Sequence, residues 1–401
     1  MKTEWRDGNQ IALLVNGDNF YPSAFEAIRQ AHSRVVLETF ILFEDEVGWG
    51  LHAALLAAAQ RGVSIDVTAD GYGSHDLTTE FLRPLIKAGV RFHFYDPRPR
   101  LLGMRTNLFR RLHRKILVVD GDTAWIGGIN YSADHLLSYG NTAKQDYAVK
   151  VRGPVVDDIY RYVLAALASD EEPRRWWHPR FHRPALPHPG NAQALFIWRD
   201  NRTHRHDIEK HYLQMLRRAK HEVIIANAYF FPGYRLLRAM RNAVRRNVQV
   251  RLIIQGQPDI PIVLFGARLL YRYLVDAGVE VYEYRQRPLH GKVALQDDYW
   301  ATVGSSNLDP LSLALNLEAN LVIHDRDFNQ QLRDNLRQLI QEESRRVEEQ
   351  HVPRKNGWRL LVNVAVFHFL RRFPALAGWL PAHTPQLTQI DIPEPPHMPP
   401  Q

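Results

Sequence analysis

Apolar residues fall along this chain in two alternating registers. The runs at 35–42, 63–67 and 90–95 are dense in Val, Ile, Leu and Phe, whereas 24–31, 51–61 and 81–88 carry apolar residues at helical spacing. Short dense runs rich in β-branched residues predict buried strands, and three-to-four spacing predicts amphipathic helices. The same order then recurs. Segments 208–219, 236–246 and 269–277 read as helices, and each leads into an apolar run, at 223–231, 248–254 and 279–284. Gly89 and Gly278 stand at matching points between the third helix and the third strand, where a helix C-cap is expected. Helix and strand alternating twice over predict a duplicated α/β chain built of βαβ units, with each sheet covered on both faces.

Proline marks the divisions. Pro173, Pro179, Pro184, Pro187 and Pro189 interrupt any regular element, so 171–190 is expected to link a first half, 1–170, to a second, 191–350. Proline recurs from Pro381 onward, and 381–401 is expected to form a tail without regular structure. A length of 401 residues suits two domains, and 45% apolar with 23% charged residues is a globular balance.

Charge narrows the partner and cysteine narrows the chemistry. A net charge of +8 favours something anionic: nucleic acid, an anionic bilayer or a phosphorylated small molecule. No cysteine occurs, which excludes disulfides, thiolate metal sites and cysteine nucleophiles. Residues 1–8 show no secretory pattern, so a cytoplasmic placement is expected. The apolar stretch 360–370 is shorter than the roughly 20 helical residues a bilayer crossing needs, which predicts a chain that lies on a membrane.

The end of each repeat carries the same polar signature. His113, Lys115 and Asp120 precede Gly127-Gly128-Ile129-Asn130; His290, Lys292 and Asp297 precede Gly304-Ser305-Ser306-Asn307, at identical spacing. One such His-x-Lys-x4-Asp pattern arises by chance often enough to mislead; two in register with a repeat do not. Alternation along a strand puts His and Lys, two apart, on one face. Phosphodiester chemistry needs a nucleophile, an acid for the leaving alkoxide and fixed positive charge at the nonbridging oxygens. Halves packed about a pseudo-twofold axis would bring two histidines to a phosphate, with Lys115, Lys292, Asn130 and Asn307 around its oxygens. A nucleophilic imidazole also needs an acceptor on its other nitrogen. Asp146 and Glu318, each just ahead of an apolar strand downstream of its glycine turn, are the candidate orienters. Asp120 and Asp297 stand at strand ends, where they either brace the hairpins or join the chemistry.

Twin His-x-Lys-x4-Asp motifs, each followed by its Gly-x-x-Asn turn, resemble those of the phospholipase D superfamily, and within it the bacterial cardiolipin synthases of the B type, over roughly 16–385. The resemblance implies a duplicated fold of two α/β/α sandwiches related by pseudo-twofold symmetry. It implies His113 as a nucleophile that forms a phosphohistidine and His290 as the acid, with the roles open to exchange, and phosphatidylglycerol as donor and acceptor. It implies no metal and no cofactor. Gly128 replaces the serine found at Ser305, so the first half is expected to lack one hydroxyl contact to the phosphate.

Two segments bear on the partner. Residues 98–112 interleave five arginines with Leu, Met and Phe beside the first motif, and 358–380 flanks an apolar run with Arg359, Arg371, Arg372 and Trp379. Both compositions fit docking on anionic lipid headgroups, and 351–380 is read as a membrane-associating segment at the cytoplasmic face. The alternatives are a solvated loop and an ordinary packing helix. A phospholipase D-type hydrolase or a nuclease would carry the same motifs. Single-strand binding favours aromatic stacking platforms over a Leu- and Met-rich basic stretch, so no nucleic-acid partner is expected. A noncatalytic membrane protein would not need both motifs.

Overall fold

The computed structural model describes residues 3–97, 111–167, 186–256, 270–348 and 386–391. Of the docking segments read at 98–112 and 358–380, Arg111 and Leu112 are described; the rest of both, with all of 351–380 and most of the linker, lies outside the described residues. In the first half, β1 (Arg6–Val15) and α1 (Asn16–Gln30) precede β2 (Arg34–Thr39), α2 (Glu46–Gln60), β3 (Ser64–Asp70), α3 (Thr79–Lys87) and β4 (Arg91–Tyr95). There follow β5 (Ile116–Val119), β6 (Thr123–Gly127), β7 (Tyr147–Arg152) and α4 (Val155–Leu167). The second half repeats this with β8 (Ala192–Arg199), α5 (Asp207–Arg218), β9 (Glu222–Asn227), α6 (Tyr234–Arg245), β10 (Gln249–Gln255), a helix α7 described over 270–276, and β11 (Glu280–Tyr284). It ends with β12 (Lys292–Gln296), β13 (Trp300–Gly304), α8 (Pro310–Ala314), β14 (Glu318–His324), α9 (Arg326–Glu342) and β15 (Ser344–Arg346).

The helices expected from apolar spacing are present; α1, α2, α3, α5 and α6 begin earlier than the spacing indicates, and polar side chains cap the starts of α2 and α3. Asp45 accepts from the amides of Val47 and Gly48, and Thr78 from Phe81. Gly89 and Gly278 adopt positive φ of 93° and 82°, the left-handed conformation required after a helix end.

Each half is a mixed sheet. Strands β2, β3 and β4 run parallel, as do β9, β10 and β11, while the motif strands join them antiparallel. The two sheets meet edge to edge through β1 and β8, and with β16 (Leu387–Gln389) they give one sheet of 16 strands in the order β15-β11-β10-β9-β12-β13-β14-β8-β1-β7-β6-β5-β2-β3-β4-β16. Read outward from that junction, the halves present their strands in the same order, the relation a pseudo-twofold axis produces. Helices α1, α2 and α3 cover one outer face with their Phe20, Leu51, Leu55 and Leu85, and α5 and α6 cover the other with Leu216, Leu236 and Met240. Helices α4 and α9 pack their Ile159, Val163, Leu332 and Leu336 into a third cluster that takes side chains from both halves. Burial of this kind contributes roughly 25 cal/mol per Å2 of apolar surface, so the shared cluster welds the halves together.

The tail departs from expectation. Strand β16 (Leu387–Gln389) pairs antiparallel with β4, and Asp96 N donates to Gln386 O. Residues 386–392 are free of proline, which leaves enough backbone donors to cover the open edge of β4. The second half closes its corresponding edge with β15 on β11.

Candidate active site

Each motif begins just before a buried strand. His113 precedes β5, and Lys115 at the strand entrance turns its ammonium back to donate to His113 O at 2.8 Å. His290 precedes β12, and Lys292 donates to His290 O in the same way. Both lysines are buried, Lys292 fully.

The motif segments are laced to the opposite half by backbone bonds. His113 N donates to Leu317 O at 3.0 Å, and Leu317 N to Arg111 O at 2.9 Å. Symmetrically, His290 N donates to Gln145 O at 2.8 Å, and Gln145 N to Pro288 O at 2.8 Å. Leu317 and Gln145 immediately precede the candidate orienters, so each carboxylate lands beside the histidine of the other half. His113 Nδ1 lies 2.9 Å from Glu318 Oε2, and His290 Nδ1 lies 2.5 Å from Asp146 Oδ2. The two pairs cross between the halves, and neither half holds a complete site.

Burial governs the protonation of the cluster. His113 is pushed down to about 4 by desolvation, opposed by Glu318, while His290 is driven well below the usual imidazole range by desolvation and then by Lys292. Glu318, although desolvated, is held below the usual carboxylate range by His113 and Lys115; burial raises Asp146 to about 6. At neutral pH both carboxylates are therefore ionised acceptors, so each imidazole carries its proton on Nδ1 and leaves Nε2 for chemistry. Desolvation lowers Lys115 to about 7 and Lys292 to about 8. Phe40 walls the first half of the cleft, its ring centroid 5.0 Å from that of His113 and 5.1 Å from Lys115 Nζ.

Asn130 and Asn307 are buried on the loops leaving β6 and β13. Asn307 Oδ1 has no hydrogen-bond partner among the described residues, and Asn130 Oδ1 accepts weakly from Ile41 N at 3.3 Å. Ser305 corrects one expectation. Its hydroxyl donates to Glu318 Oε2 at 2.6 Å and is fully buried, so it holds the carboxylate and does not reach toward a phosphate. Gly128, its counterpart, leaves room for Asp146, because a Cβ there would stand 2.3 Å from Asp146 Oδ1.

Asp120 and Asp297, grouped with the catalytic residues from their motif positions, stand at the other end of the motif strands, seven residues and roughly 20 Å of extended chain from the histidines. Asp120 accepts from the amides of His32, Ser33 and Arg34, and Asp297 from those of Lys220, His221 and Glu222. These amides open β2 and β9, so the geometry supports the bracing alternative.

Residues outside the motifs complete the surroundings. Arg114, between His113 and Lys115, is buried in a two-bonded pair with Glu38 at 2.8 and 3.0 Å. His135, five residues after Asn130, is fully buried and approaches Asp146. Its position in the turn gave no spacing signal, and the second half has Ser312 at the same offset.

Comparisons with known proteins agree with this geometry. Residues 25–162 and 212–340 match the family described as "Cardiolipin synthase, PLD-like domain". The chain is 65% identical over 398 residues to cardiolipin synthase B of Salmonella typhi, covering 99% of this chain and 96% of that protein. It is 62% identical, with the same coverage, to cardiolipin synthase B of Escherichia coli K12. Cardiolipin synthase A of Pseudomonas fluorescens is 34% identical over 84% of this chain and 71% of its own length. Among solved structures, phosphatidylserine synthase of Haemophilus influenzae superposes with a TM-score of 0.69 at 15% identity, covering 92% of this chain and 94% of that one, a likeness of fold alone. With both halves matched and near-full-length relatives at high identity, the chain belongs to the phospholipase D-like family of cardiolipin synthases.

Proposed function

We propose that this site moves a phosphatidyl group from one phosphatidylglycerol to the hydroxyl of another, forming cardiolipin and releasing glycerol. The chain is a phosphatidyltransferase acting on phospholipids, as its near-full-length relatives named cardiolipin synthase B support. The observation that carries the mechanism is the crossed pair of imidazoles, each fixed through Nδ1 to a carboxylate of the other half.

His113 Nε2 attacks phosphorus, and the bond from phosphorus to the glycerol oxygen breaks. The departing alkoxide takes a proton from His290 Nε2, and glycerol leaves. Burial keeps both imidazoles neutral in the empty site; the arriving phosphodiester anion raises the proton affinity of His290, whose Nε2 takes up a proton from solvent, and that is the proton the alkoxide receives. A second phosphatidylglycerol then gives its hydroxyl proton to His290, its oxygen attacks phosphorus, and the N–P bond breaks. Two displacements conserve the number of phosphodiesters. Lys115, Lys292, Asn130 and Asn307 are proposed to hold the nonbridging oxygens through both steps. Glu318 holds His113 by its Nδ1 proton as positive charge develops on the ring.

The partner surface is proposed to be an anionic membrane, at the cytoplasmic face. Support comes from the net charge of +8 and from the mixed basic and apolar composition of 98–112 and 358–380. Among the described residues no helix is long and apolar enough to cross a membrane. Incubating the purified chain with vesicles containing phosphatidylglycerol, and separately with labelled DNA, tests the reading. Cardiolipin and glycerol in equal amounts are expected. Phosphatidic acid as the main product would favour a hydrolase, and cleaved DNA a nuclease. Vesicle binding is expected to weaken with salt, over a Debye length of about 10 Å at 0.1 M, and to fall further on ending the chain before Trp358.

A further inference from the structure

The two carboxylates that hold the histidines do not have equivalent surroundings. Glu318 Oε2 receives two donors, His113 Nδ1 and the Ser305 hydroxyl at 2.6 Å. The first half has Gly128 where Ser305 stands, so Asp146 has no hydroxyl there; its Oδ1 accepts from Tyr147 N at 2.8 Å and its Oδ2 faces His290 Nδ1. In that place stands a third histidine. His135 ends the 3-10 turn Ala133–His135, fully buried, with its Nδ1 3.7 Å from Asp146 Oδ2 and its ring edge-on to that of His290 at 5.4 Å between centroids.

The tautomer of His135 is fixed by its far side. Asn130 N donates to His135 Nε2 at 3.3 Å, so Nε2 is an acceptor and bears no proton. Burial, reinforced by Lys144, keeps the ring neutral, which puts its one proton on Nδ1. That Nδ1 has no hydrogen-bond partner among the described residues, and Asp146 Oδ2 is an acceptor 3.7 Å away. An unmade bond at a buried donor is costly, and a contraction of less than one ångström would close this one.

We propose that His135 is a positioning residue for the transfer reaction, donating through Nδ1–H to Asp146 Oδ2 and so supplying to the oxygen that holds His290 the second donor that Ser305 supplies to Glu318 Oε2. This rests on the reading of His290 as an acid–base group. The donor draws charge from Asp146, which lowers the proton affinity of the pair as a unit. The other charged groups facing the pair are Lys292, Lys144 and Lys115, and Asp134 lies 3.8 Å from His135 Nε2. None of these changes when His135 is replaced, so a shift on replacement belongs to His135.

The test separates the donor from mere packing. In His135→Asn the amide nitrogen takes the place of Nδ1 and keeps a donor toward Asp146. In His135→Gln the amide takes the place of Nε2 and leaves Asp146 Oδ2 with no donor from position 135, and His135→Phe fills the volume with no polar atom. Thermal unfolding identifies which variants fold, and either donorless variant suffices. The pH dependence of cardiolipin formation from phosphatidylglycerol vesicles is measured for each. Imidazole NMR titration of the histidine-labelled full chain without substrate is measured alongside, with the His290 signal assigned through His290→Asn. The acid limb of the rate and the NMR transition are expected to move up by about one pH unit in the donorless variants, as loss of a bond to a charged acceptor implies, and to stay near wild type in His135→Asn. Lower rates with both transitions unmoved, or equal shifts in all three variants, would overturn the proposal. Because the NMR transition needs no substrate, it decides the role of His135 even if wild type forms no cardiolipin, a result that would remove the proposed activity instead.

Discussion

Glu318 Oε2 lies 2.9 Å from His113 Nδ1, although the two residues are 205 positions apart and belong to opposite halves of the chain. The matching pair, His290 and Asp146, is 144 positions apart. In the proposed mechanism, reaction at either histidine therefore requires both halves in place. Glu318→Gln is expected to disable His113, and Asp146→Asn to disable His290, each lowering kcat on the order of 10^2 to 10^4-fold. A double-mutant cycle checks the crossing. Glu318→Gln added to His113→Ala should cost little more, since its target is already gone, with the same result for Asp146→Asn on His290→Ala. Full additivity within a crossed pair would refute it.

Gly128 and Ser305 occupy equivalent turns and are not interchangeable. Gly128→Ala places a methyl against Asp146 Oδ1, and this buried carboxylate cannot move without releasing His290. A loss of about 10^2-fold or more in kcat is expected, with a lowered Tm. Ser305→Ala removes one hydrogen bond to Glu318 and is expected to be milder, about tenfold. Steady-state kinetics of the two variants, with Tm as the control for folding, give the comparison.

The pH dependence follows from burial. Protonation of Asp146 near pH 6 takes away the acceptor for His290 Nδ1–H, so kcat/KM is expected to fall below that point. Loss of the proton from Lys115 near 7 and from Lys292 near 8 removes positive charge from the free site, so kcat/KM falls again on the alkaline side. The lysines also bear on stability. Between about pH 7 and the ordinary lysine value near 10.4, the unfolded Lys115 holds a proton that the folded one has released, so stability rises with pH across this window. Lys115→Met is accordingly expected to raise Tm at pH 7 while abolishing most activity. A lowered Tm would contradict the assignment of Lys115 as a buried ion held at a cost to folding.

Asp120 is expected to matter for folding and not for the reaction. It sits at a positive φ of 49° and gathers three backbone amides that open β2. Asp120→Ala should lower stability by about 1–3 kcal/mol through those unpaired amides and the left-handed backbone. Asp120→Asn, which tolerates that backbone and keeps an acceptor, should be milder. Both variants should keep kcat per folded molecule, as active-site titration against denaturant midpoints would reveal.

Much of this was legible in the sequence because duplication writes each signal twice. Apolar spacing located the helices over α1 to α3 and α5 to α7, and the motifs located His113, Lys115, His290 and Lys292. Three things were not legible, for physical reasons. Strands β1 and β8 join the halves by few and irregular pairings and carry no counterpart signal in the βαβ pattern. Asp146 and Glu318 could be singled out, but the histidine each serves depends on backbone bonds at Gln145 and Leu317 that only the packed halves create. His135 lies outside the repeat, since Ser312 holds its place in the second half.

The central claim is one composite site in which His113 carries the phosphatidyl group. The most direct measurement mixes the full chain with phosphatidylglycerol labelled in its phosphate, quenches in alkali, where a phosphoramidate survives, and identifies the labelled peptide by mass spectrometry. Label on the peptide containing His113, reduced in His290→Ala and absent in His113→Ala, is the expected result. Turnover to cardiolipin with no labelled histidine, or label on His290 in its place, would contradict it.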